Sequence, residues 1–522
     1  MYIVPKLFHS FATILNSKRT MKKIFALFLA LGLCSAGWAQ TPPISHLDIN
    51  NIRSTILGNG SIMPPSEWKS STGQPNPCPW YEVPQGSGCQ TLYQLSFWFG
   101  ATDIAMQLHL AGMLYNNVGR DYVMGPVTLD YASSDFMTQL KYMRIWSLTR
   151  AEIDQFIAHH GESNYEMPKD ILEWPAHGDE GFAPNLAPFV DVNGDGRYVP
   201  ADGDYPDIKG DQCLFFIFND ACEHTETGGT PLRMEFHVMA YAFDAPDDEA
   251  LDNTIFFNYK CYNRSTYAYS NCYTGFWADF DIGHADDDYA GCDVQRGSFY
   301  AYNATPTDGN GQPWAYGDNP PVQAVTILAG PRMDADGRDN PAFDGIGEHL
   351  FNEAYPNDKY AYNGVNFGNG IADDERLGLC NFCYQDRSGI SSPETAPQYY
   401  SMMRMTGPDG STTGYGCDYS GPPCHFMFPG DSDPLNFGTD GVVPQDGFNT
   451  EGKYWDMEYC EKQPYDCRGL GSMGPFSIVP GEMQEIDFAL TTVWKNESQS
   501  AMERRGEFID HVRAFFFNGP KK

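Results

Sequence analysis

An acidic stretch with regular spacing, DVNGDGRYVPAD at residues 191–202, has the residue types needed to bind a metal ion. Oxygen-bearing side chains stand at its positions 1, 3, 5 and 12, namely Asp191, Asn193, Asp195 and Asp202. Ca²⁺ takes about six to eight oxygen ligands, and a glycine at position 6, here Gly196, allows the sharp turn such a loop needs. The spacing therefore predicts a calcium loop, with the backbone carbonyl of Arg197 as a further ligand.

The last position of this stretch departs from the EF-hand pattern. Asp202 stands where an EF-hand has glutamate. The shorter acid is the choice seen in dockerin-type loops, so the calcium prediction survives the departure. The alternative is a cluster of Asx turns, in which Asp and Asn side chains accept hydrogen bonds from their own backbone. The sequence leaves both interpretations open.

Two further acidic clusters have carboxylates that suit a hard cation. The candidate ligands in 277–293 are Asp279, Asp281, Asp287 and Asp293, and those in 333–340 are Asp334, Asp336 and Asp339. Alternate side chains of an extended chain point to the same side, so Asp279 and Asp281 can face one ion. We expect Ca²⁺ at these clusters. The alternatives are solvated loops, or a pair of carboxylates that hydrolyses glycosidic bonds.

Other catalytic motifs are missing from the sequence. Neither H-E-x-x-H nor G-x-S-x-G occurs. The segment GFNTEGKY at 447–454 has the glycines and lysine of a P-loop, but Tyr454 replaces the Ser or Thr that binds Mg²⁺. We therefore expect no Ser, Cys or zinc nucleophile. Whether the protein is an enzyme stays open, and a non-enzymatic role is favoured.

The N-terminal residues have the features of an export signal. Two lysines after Met21 precede a short apolar run that ends in Gly37–Trp38–Ala39, so we predict a signal peptide over 1–39, with the true start at Met21. The net charge of −35 disfavours nucleic acid and anionic membranes as partners. No later apolar run is long enough to span a bilayer. We expect a secreted or cell-surface protein.

The cysteines of an exported chain are expected to form disulfides. Their spacing predicts five local pairs: Cys78–Cys89, Cys213–Cys222, Cys261–Cys272, Cys417–Cys424 and Cys460–Cys467. Cys292 has no such neighbour. Cys380 and Cys383 form a lone C-x-x-C without the second matching pair that a zinc site needs.

Strand patterns dominate the chain. β-branched and aromatic runs bounded by turn residues predict strands at 92–100, 234–243, 254–263 and 322–330, and two more within 474–494. Helices are predicted only at 149–160, where Thr149 and Glu152 form a capping box, and at 497–519. The predicted fold is mainly β, with two or more β-sandwich-like units, long loops ordered by metal and disulfides, and a few short helices.

We expect three regions after the signal peptide. Residues 40–210 form a β-rich part with one helix and the calcium-type loop, and 211–330 form a sandwich-like part. Residues 331–522 begin as an acidic, loop-rich part and return to strands and a C-terminal helix. Because long loops inside a compact protein need something to order them, this last region should depend on ions or disulfides.

Several long segments resemble one group of proteins. GDYPDIKGDQCLFFIFNDACEHTETGG (203–229), FWADFDIGHADDDYAGCDVQRG, NFGNGIADDERLG and GPFSIVPGEMQEIDFAL are similar to segments of large exported Bacteroidetes proteins, which often carry a type IX secretion (T9SS) sorting domain. The similarity covers roughly residues 47–518. It implies export to the surface or medium and no established activity. The chain departs from that pattern because it ends at FFFNGPKK without a β-rich sorting domain.

Together these features predict an exported, calcium-stabilised structural or binding protein. Its partner would be an extracellular polysaccharide or a surface protein. The alternative is a secreted polysaccharide hydrolase with paired carboxylates.

Overall fold

A computed structural model describes most of the chain. The described residues are 43–62, 80–115, 119–129, 140–343, 348–349, 360–386, 392–407, 410–444 and 453–519. The predicted signal peptide and Cys78 lie outside them. Residues 42–522 cluster as one compact unit.

The described residues contain many strands and few helices, so the mainly β prediction is confirmed. The strands are β1 (Ile44–Leu47), β2 (Arg53–Leu57), β3 (Tyr81–Glu82), β4 (Leu92–Thr102), β5 (Leu108–Ala111), β6 (Val123–Met124), β7 (Trp146–Thr149), β8 (Phe189–Val190), β9 (Tyr205–Pro206), β10 (Gln212–Asn219), β11 (Met234–Ala242), β12 (Thr254–Asn263), β13 (Tyr269–Phe280), β14 (Asp288–Asp293), β15 (Ser298–Asn303), β16 (Val322–Ala329), β17 (Ala342–Phe343), β18 (Glu348–His349), β19 (Tyr360–Ala361), β20 (Gly364–Val365), β21 (Arg376–Leu377), β22 (Asn381–Asp386), β23 (Cys467–Ile478) and β24 (Met483–Val493).

The two predicted helices are present, and the described residues contain three further short helices that were not predicted. In chain order the helices are α1 (Arg150–His159), α2 (Lys169–Leu172), α3 (Glu249–Asp252), α4 (Ala396–Met403) and α5 (Ala501–Asn518). The predicted capping box is present at α1, where the Thr149 side chain accepts from the Glu152 backbone N–H. Helix α5 has a second box, formed by Ser500 and Glu503. In the described part of the chain, no helix has the length and apolar character needed to cross a membrane.

Two antiparallel sheets form the framework. The larger sheet has nine strands in the order β14-β15-β16-β24-β12-β11-β10-β6, and β7 also pairs with β10. The smaller sheet has five strands in the order β22-β23-β13-β4-β5. Strands β7, β16 and β24 come from the three regions expected along the sequence, and all of them lie in the larger sheet. These regions therefore contribute to shared sheets.

The two sheets pack face to face through aromatic side chains. Phe276 of the smaller sheet lies 3.9 Å, between ring centroids, from Phe488 of the larger one. Phe97 packs in the same way against Phe236, at 5.2 Å. Burying one such ring stabilises the fold by about 1.5–3 kcal/mol. The inner faces of the two sheets thus make the main core, as expected for a sandwich.

Strands of the larger sheet are apolar on both faces, because both faces are covered. On β10, Phe216 and Phe218 face the smaller sheet, and Phe215 and Ile217 belong to a second core on the other side. Helices α1 and α5 contribute to this second core, for example through Ile509. The apolar runs of the sequence therefore correspond to a sandwich with an additional helical layer on one side.

The predicted pairing of cysteines is wrong for the described residues. The disulfide present joins Cys417 to Cys460, with a Cα–Cα distance of 5.3 Å, so each takes its partner from a different predicted pair. Free thiols are found at Cys213, Cys222, Cys261, Cys272 and Cys424, and also at Cys292. Short spacing in sequence misleads here because an extended strand separates its residues by about 3.3 Å each.

Two examples show why the predicted pairs do not form. Cys213 lies near the start of β10 and Cys222 lies beyond its end, so the strand carries them about 20 Å apart. Cys261 and Cys272 lie on β12 and β13, which belong to different sheets, and neither thiol is in a disulfide. A disulfide needs Cα atoms within about 7 Å.

Candidate metal centre

One acidic group stands out at the end of the smaller sheet. Among the described residues, the only group of His, Cys, Asp or Glu with at least three ligand atoms close enough for one ion is Asp279, Asp281 and Asp466. Their ligand atoms all lie within 4.8 Å of one another. We call this group the acidic triad. The sequence predicted its first two members together, at alternate positions.

Neighbouring strands bring the triad together. Asp279 is the second-last residue of β13, and Asp281 follows the strand. Asp466 immediately precedes β23, which runs antiparallel to β13, with Asp279 opposite Arg468 in the register. Sequence reasoning missed Asp466, because only the pairing of these two strands places it near the others. No local signal around residue 466 could have indicated this.

Hydrogen bonds fix two of the carboxylates. The Tyr115 hydroxyl donates to Asp279 Oδ2 at 2.8 Å, and Arg468 Nε donates to Asp279 Oδ1 at 3.1 Å. The same guanidinium donates through Nη2 to Asp466 Oδ2 at 2.8 Å. Arg468 therefore holds Asp279 and Asp466 in a fixed relation. Side chains next to the triad therefore hold two of its three carboxylates in place.

Other oxygen atoms at the triad are left without hydrogen bonds. Asp466 Oδ1 is buried and has no hydrogen-bond partner. The third carboxylate, Asp281, accepts from Gln90 Nε2 at 3.2 Å. Asp288 accepts from the Ile282 backbone N–H, next to Asp281, and its other oxygen, Oδ1, is also buried without a partner. Buried acceptors without partners carry a desolvation penalty of about 1–3 kcal/mol, which a bound ion would remove.

The charges of the triad are not balanced by protein groups alone. When all three carboxylates are ionised, the Arg468 guanidinium neutralises only one of them. Burial raises the pKa of Asp279 to about 7, and Arg468 opposes this rise only in part. Burial, with Asp279 and Asp466 nearby, also raises the pKa of Asp281 well above its usual range. The triad thus favours either protons or a divalent cation. An all-oxygen donor set suits a hard cation such as Ca²⁺.

The loop at 191–202 has its acidic groups on the surface, where they cap backbone N–H groups. Asp191 accepts from Gly194 N and Gly196 N, both at 2.7 Å. Asn193 Oδ1 accepts from Asp195 N at 2.9 Å, and Asp195 Oδ1 accepts in turn from the backbone N–H two residues on. The hydrogen bonds that Asp191 accepts lower its pKa, and the one from the Gly196 backbone N–H has the largest effect. The contacts are those of Asx turns, and a calcium site here stays a prediction.

The end of this loop is organised by an aspartate outside the twelve-residue stretch. Asp202 lies exposed in a short 3-10 turn, Pro200–Asp202. Asp204 is buried instead, and its carboxylate accepts from Val192 N at 2.9 Å and Val199 N at 2.8 Å. The spacing of a calcium loop gave no reason to single out Asp204. Among the described residues, the carboxylates of Asp191 and Asp202 do not join a group of three close ligand atoms.

The remaining members of the second cluster are separate from the triad. Asp287 lies in the turn Ala285–Asp287 and accepts from Gly309 N at 3.0 Å. Asp293 is buried at the end of β14, where it pairs with Arg296 at 3.3 Å and Arg505 at 3.4 Å. A buried carboxylate with two cationic partners does not need an ion for charge balance. Asp293 is therefore placed as a structural ion-pair residue.

The third cluster forms a junction between two loops. Asp373 Oδ1 accepts from the backbone N–H groups of Asp336 and Gly337, both at 2.8 Å. Asp339 Oδ2 accepts from Gly370 N at 2.6 Å, and its Oδ1 is buried without a hydrogen bond. These contacts interlock 333–340 with 366–375.

Asp334 lies apart from this junction. Its two oxygens accept from the Ser477 backbone N–H at 2.6 Å and the Ser477 hydroxyl at 2.8 Å. It therefore ties the start of the loop to β23.

Comparison with known proteins does not assign the chain to a family. No family model matches it, and no curated protein matches it significantly. The resemblance to exported Bacteroidetes proteins stays an expectation drawn from sequence segments.

Proposed function

We propose that the protein is an exported structural and binding protein, at the cell surface or in the medium, that Ca²⁺ stabilises. The observation that carries the proposal is the acidic triad, in which the ligand atoms of Asp279, Asp281 and Asp466 lie within 4.8 Å of one another. The buried and unpartnered Asp466 Oδ1 supports it, because a cation would satisfy that oxygen. The net charge of −35 also favours bound cations.

The donor set favours Ca²⁺ over other ions. The triad offers carboxylate oxygens and no sulfur or imidazole, so soft transition metals have no preferred ligand there. Mg²⁺ requires near-ideal octahedral geometry and gives up water reluctantly. Arg468 and Tyr115 fix Asp279, so the carboxylates have little freedom to adopt that geometry. Ca²⁺ tolerates irregular coordination and fits this constraint better.

A bound ion would act as a link between strands. It would connect the end of β13 to the start of β23 through Asp279 and Asp466. Extracellular calcium modules bind with dissociation constants of roughly 10⁻⁴–10⁻³ M. At about 1 mM calcium, such a site would add about 0.4–1.4 kcal/mol to the free energy of unfolding. Its role would be structural.

Calorimetric titration of the metal-free protein with CaCl₂ tests the proposal. We expect Asp466→Asn to remove one bound ion, because the amide supplies less charge and cannot replace the carboxylate. The matched control is Asp154→Asn, since Asp154 is exposed on helix α1. This control should bind as many ions as the wild type. A wild-type protein that takes up no calcium at several millimolar, or an unchanged count in Asp466→Asn, would refute the proposal.

The same titration tests the surface loop. If Asp191, Asn193, Asp195, Asp202 and the Arg197 carbonyl hold a second ion, Asp195→Ala should remove one ion independently of Asp466→Asn. The Asp339 junction predicts a third ion, lost in Asp339→Asn. Each of these sites is counted separately, so the triad can bind calcium whether or not the loops do.

The alternative function, hydrolysis by paired carboxylates, has less support at the triad. Retaining glycosidases hold two carboxyl groups about 5–5.5 Å apart, and inverting ones hold them about 6.5–9.5 Å apart. One oxygen atom of each triad residue lies within 4.8 Å of the other two. The two oxygens of Asp279 also accept hydrogen bonds from Tyr115 and Arg468. This separation of the triad oxygens is close to that of a retaining pair, but both oxygens of Asp279 are already engaged by Tyr115 and Arg468, so the arrangement supports an ion better than hydrolysis.

A further inference from the structure

A cavity of about 720 Å³ opens on the outer face of the larger sheet. Its floor is made by β10, β11, β12 and β24, and its walls include residues 207–210 and the C-terminal end of helix α5. We call it the sheet cleft. Small-molecule sites have volumes of about 300–1,000 Å³ and combine apolar walls with a few polar groups. The sheet cleft has both features.

One wall of the cleft is aromatic. Phe515 packs edge-on against Phe243, with ring centroids 4.8 Å apart, and Tyr241 stacks on Phe256 at 5.4 Å. Phe515 is followed by two more phenylalanines, all three partly exposed and lining the cleft. Each of the three rings packs partly against a core cluster and keeps an exposed part that borders the cleft.

The floor of the cleft has a polar network that is already formed. Asn258 Nδ2 donates to Glu485 Oε1 at 2.8 Å and to Asp487 Oδ1 at 2.7 Å. Arg376 donates to Asp487 Oδ2 at 3.0 Å and to the Gly330 carbonyl at 2.8 Å. A ligand would therefore meet polar groups that need no rearrangement, which reduces the free energy lost on binding.

Two lysines in the cleft have no partner of their own. Lys209 and Lys260 line it and are partly buried, and neither forms a side-chain ion pair or hydrogen bond with the described residues. The chain has 68 acidic and 33 basic residues, so unpaired lysines in a cavity are unexpected. Burial alone would raise the pKa of Glu485, but the Asn258 hydrogen bond and the nearby Arg376, Lys260 and Lys209 lower it. The lining therefore holds three cationic side chains, Lys209, Lys260 and Arg376, beside the carboxylates of Asp207, Glu485 and Asp487.

We propose that the sheet cleft binds a uronic acid residue of an acidic polysaccharide. The sugar ring packs on the aromatic wall, its carboxylate pairs with Lys209 and Lys260, and its hydroxyl groups donate to Glu485. An aromatic acid fits less well, because it has no hydroxyl groups that could add to the Asn258 hydrogen bond at Glu485. The proposal rests on the proposed binding role but uses none of the residues of the acidic triad.

The test compares two trisaccharides of equal size with the full chain, by calorimetry. The probes are trigalacturonate and its carboxyl-reduced, neutral counterpart, each titrated in metal-free buffer so that calcium cannot bridge sugar and protein. We expect the acidic probe to bind at least tenfold more tightly than the neutral one. Added salt should weaken the binding of the acidic probe, because salt screens the attraction between its carboxylates and the lysines. This comparison needs no variant.

Variants then assign the site. The double variant Lys209→Met with Lys260→Met keeps the side-chain volume and removes the charges, so binding of trigalacturonate should fall at least tenfold. Phe515→Ala should weaken it as well by removing the ring surface. The control is Lys169→Met, because Lys169 is exposed on helix α2, with 73% of its side-chain area accessible. It should bind as the wild type does.

Three results would overturn the proposal. They are the absence of binding by trigalacturonate, equal binding of the acidic and neutral probes, and full binding by the double lysine variant. The calcium titration is a separate measurement, so its outcome does not affect this one. Asp466→Asn should still bind the acidic trisaccharide.

Discussion

The same residue type has opposite roles in this chain, depending on its surroundings. Asp191 lies partly exposed in a surface loop and accepts hydrogen bonds from backbone N–H groups, so its pKa is lowered and it stays ionised. Asp279 is buried, and its pKa is raised to about 7 although Arg468 lies beside it. The difference follows from desolvation, which disfavours the charged form. Acidic residues that look equivalent in sequence thus differ in whether they need a cation.

The raised pKa of Asp279 predicts how stability depends on pH in the metal-free protein. Folding raises this pKa from 3.8 to about 7, so between those values the folded state keeps a proton that the unfolded state releases. The free energy of unfolding should therefore fall as pH rises from about 4 to about 7. Urea denaturation of the wild type and Asp279→Asn, at several pH values, measures this contribution.

Saturating calcium provides the control for this prediction. A bound ion keeps the carboxylates ionised, so the decrease in stability with rising pH should be reduced or reversed, and calcium should bind more tightly at higher pH. Equal pH slopes for the wild type and Asp279→Asn without metal would show that Asp279 is not the titrating group.

Asp204 offers a second test at the scale of one residue. Its buried carboxylate accepts from the backbone N–H groups of Val192 and Val199. Asp204→Asn replaces one acceptor oxygen with an NH₂ group, so it should lower the free energy of unfolding by about 1–3 kcal/mol. Asp202→Asn, in an exposed turn, should change it by less than about 0.5 kcal/mol. Denaturant titration measures both, and equal effects would contradict the assigned role of Asp204.

At the scale of elements, helix α1 shows what local sequence determines. Its start was predicted from Thr149 and Glu152 and lies where the prediction placed it. Thr149→Ala should lower the free energy of unfolding by about 1 kcal/mol, because the Glu152 N–H loses its acceptor. Glu152→Gln keeps the capping box and should have little effect. Denaturation curves that show the reverse order would contradict this.

Strands were predictable, and their partners were not. The runs at 254–263 and 322–330 fall on β12 and β16, because β-branched and aromatic residues bounded by turns are a local signal. Asp466 joins Asp279 only through the pairing of β13 with β23, and Cys417 meets Cys460 across a separation of 43 residues. Contacts of that kind depend on the whole topology. For this reason the sequence identified part of the triad and none of the disulfide connectivity.

The burial of thiols is also decided at the scale of elements. Cys213 lies on β10 within a core, and burial raises its pKa to about 12. Cys383 lies on β22, and burial raises its pKa to about 12 as well. Since the thiolate is the reactive form, these residues should resist alkylation at neutral pH until the protein unfolds. Mass spectrometry after iodoacetamide treatment, with and without urea, measures this, and rapid labelling of the folded protein would contradict it.

At the scale of the whole molecule, the larger sheet joins distant parts of the chain. Strand β24, near the C-terminus, lies between β16 and β12, which precede it by more than 150 residues. Phe488 of β24 stacks on Phe257 of β12 at 4.6 Å and also contacts Phe276 of the smaller sheet. The centre of the sandwich is therefore complete only when the last strands are in place.

This topology predicts that the central region cannot fold alone. A fragment of residues 211–330 retains β10 to β16 but lacks β24, so β12 and β16 become unpaired edges and the aromatic core loses Phe488. We expect it to show no cooperative urea transition by circular dichroism, whereas the full chain should unfold in one main transition. Mixing it with a fragment of residues 331–522 should restore β structure if the missing strand is the cause. A cooperative transition in the isolated fragment would instead establish 211–330 as a separate domain, with β24 added to a sheet that is already stable without it.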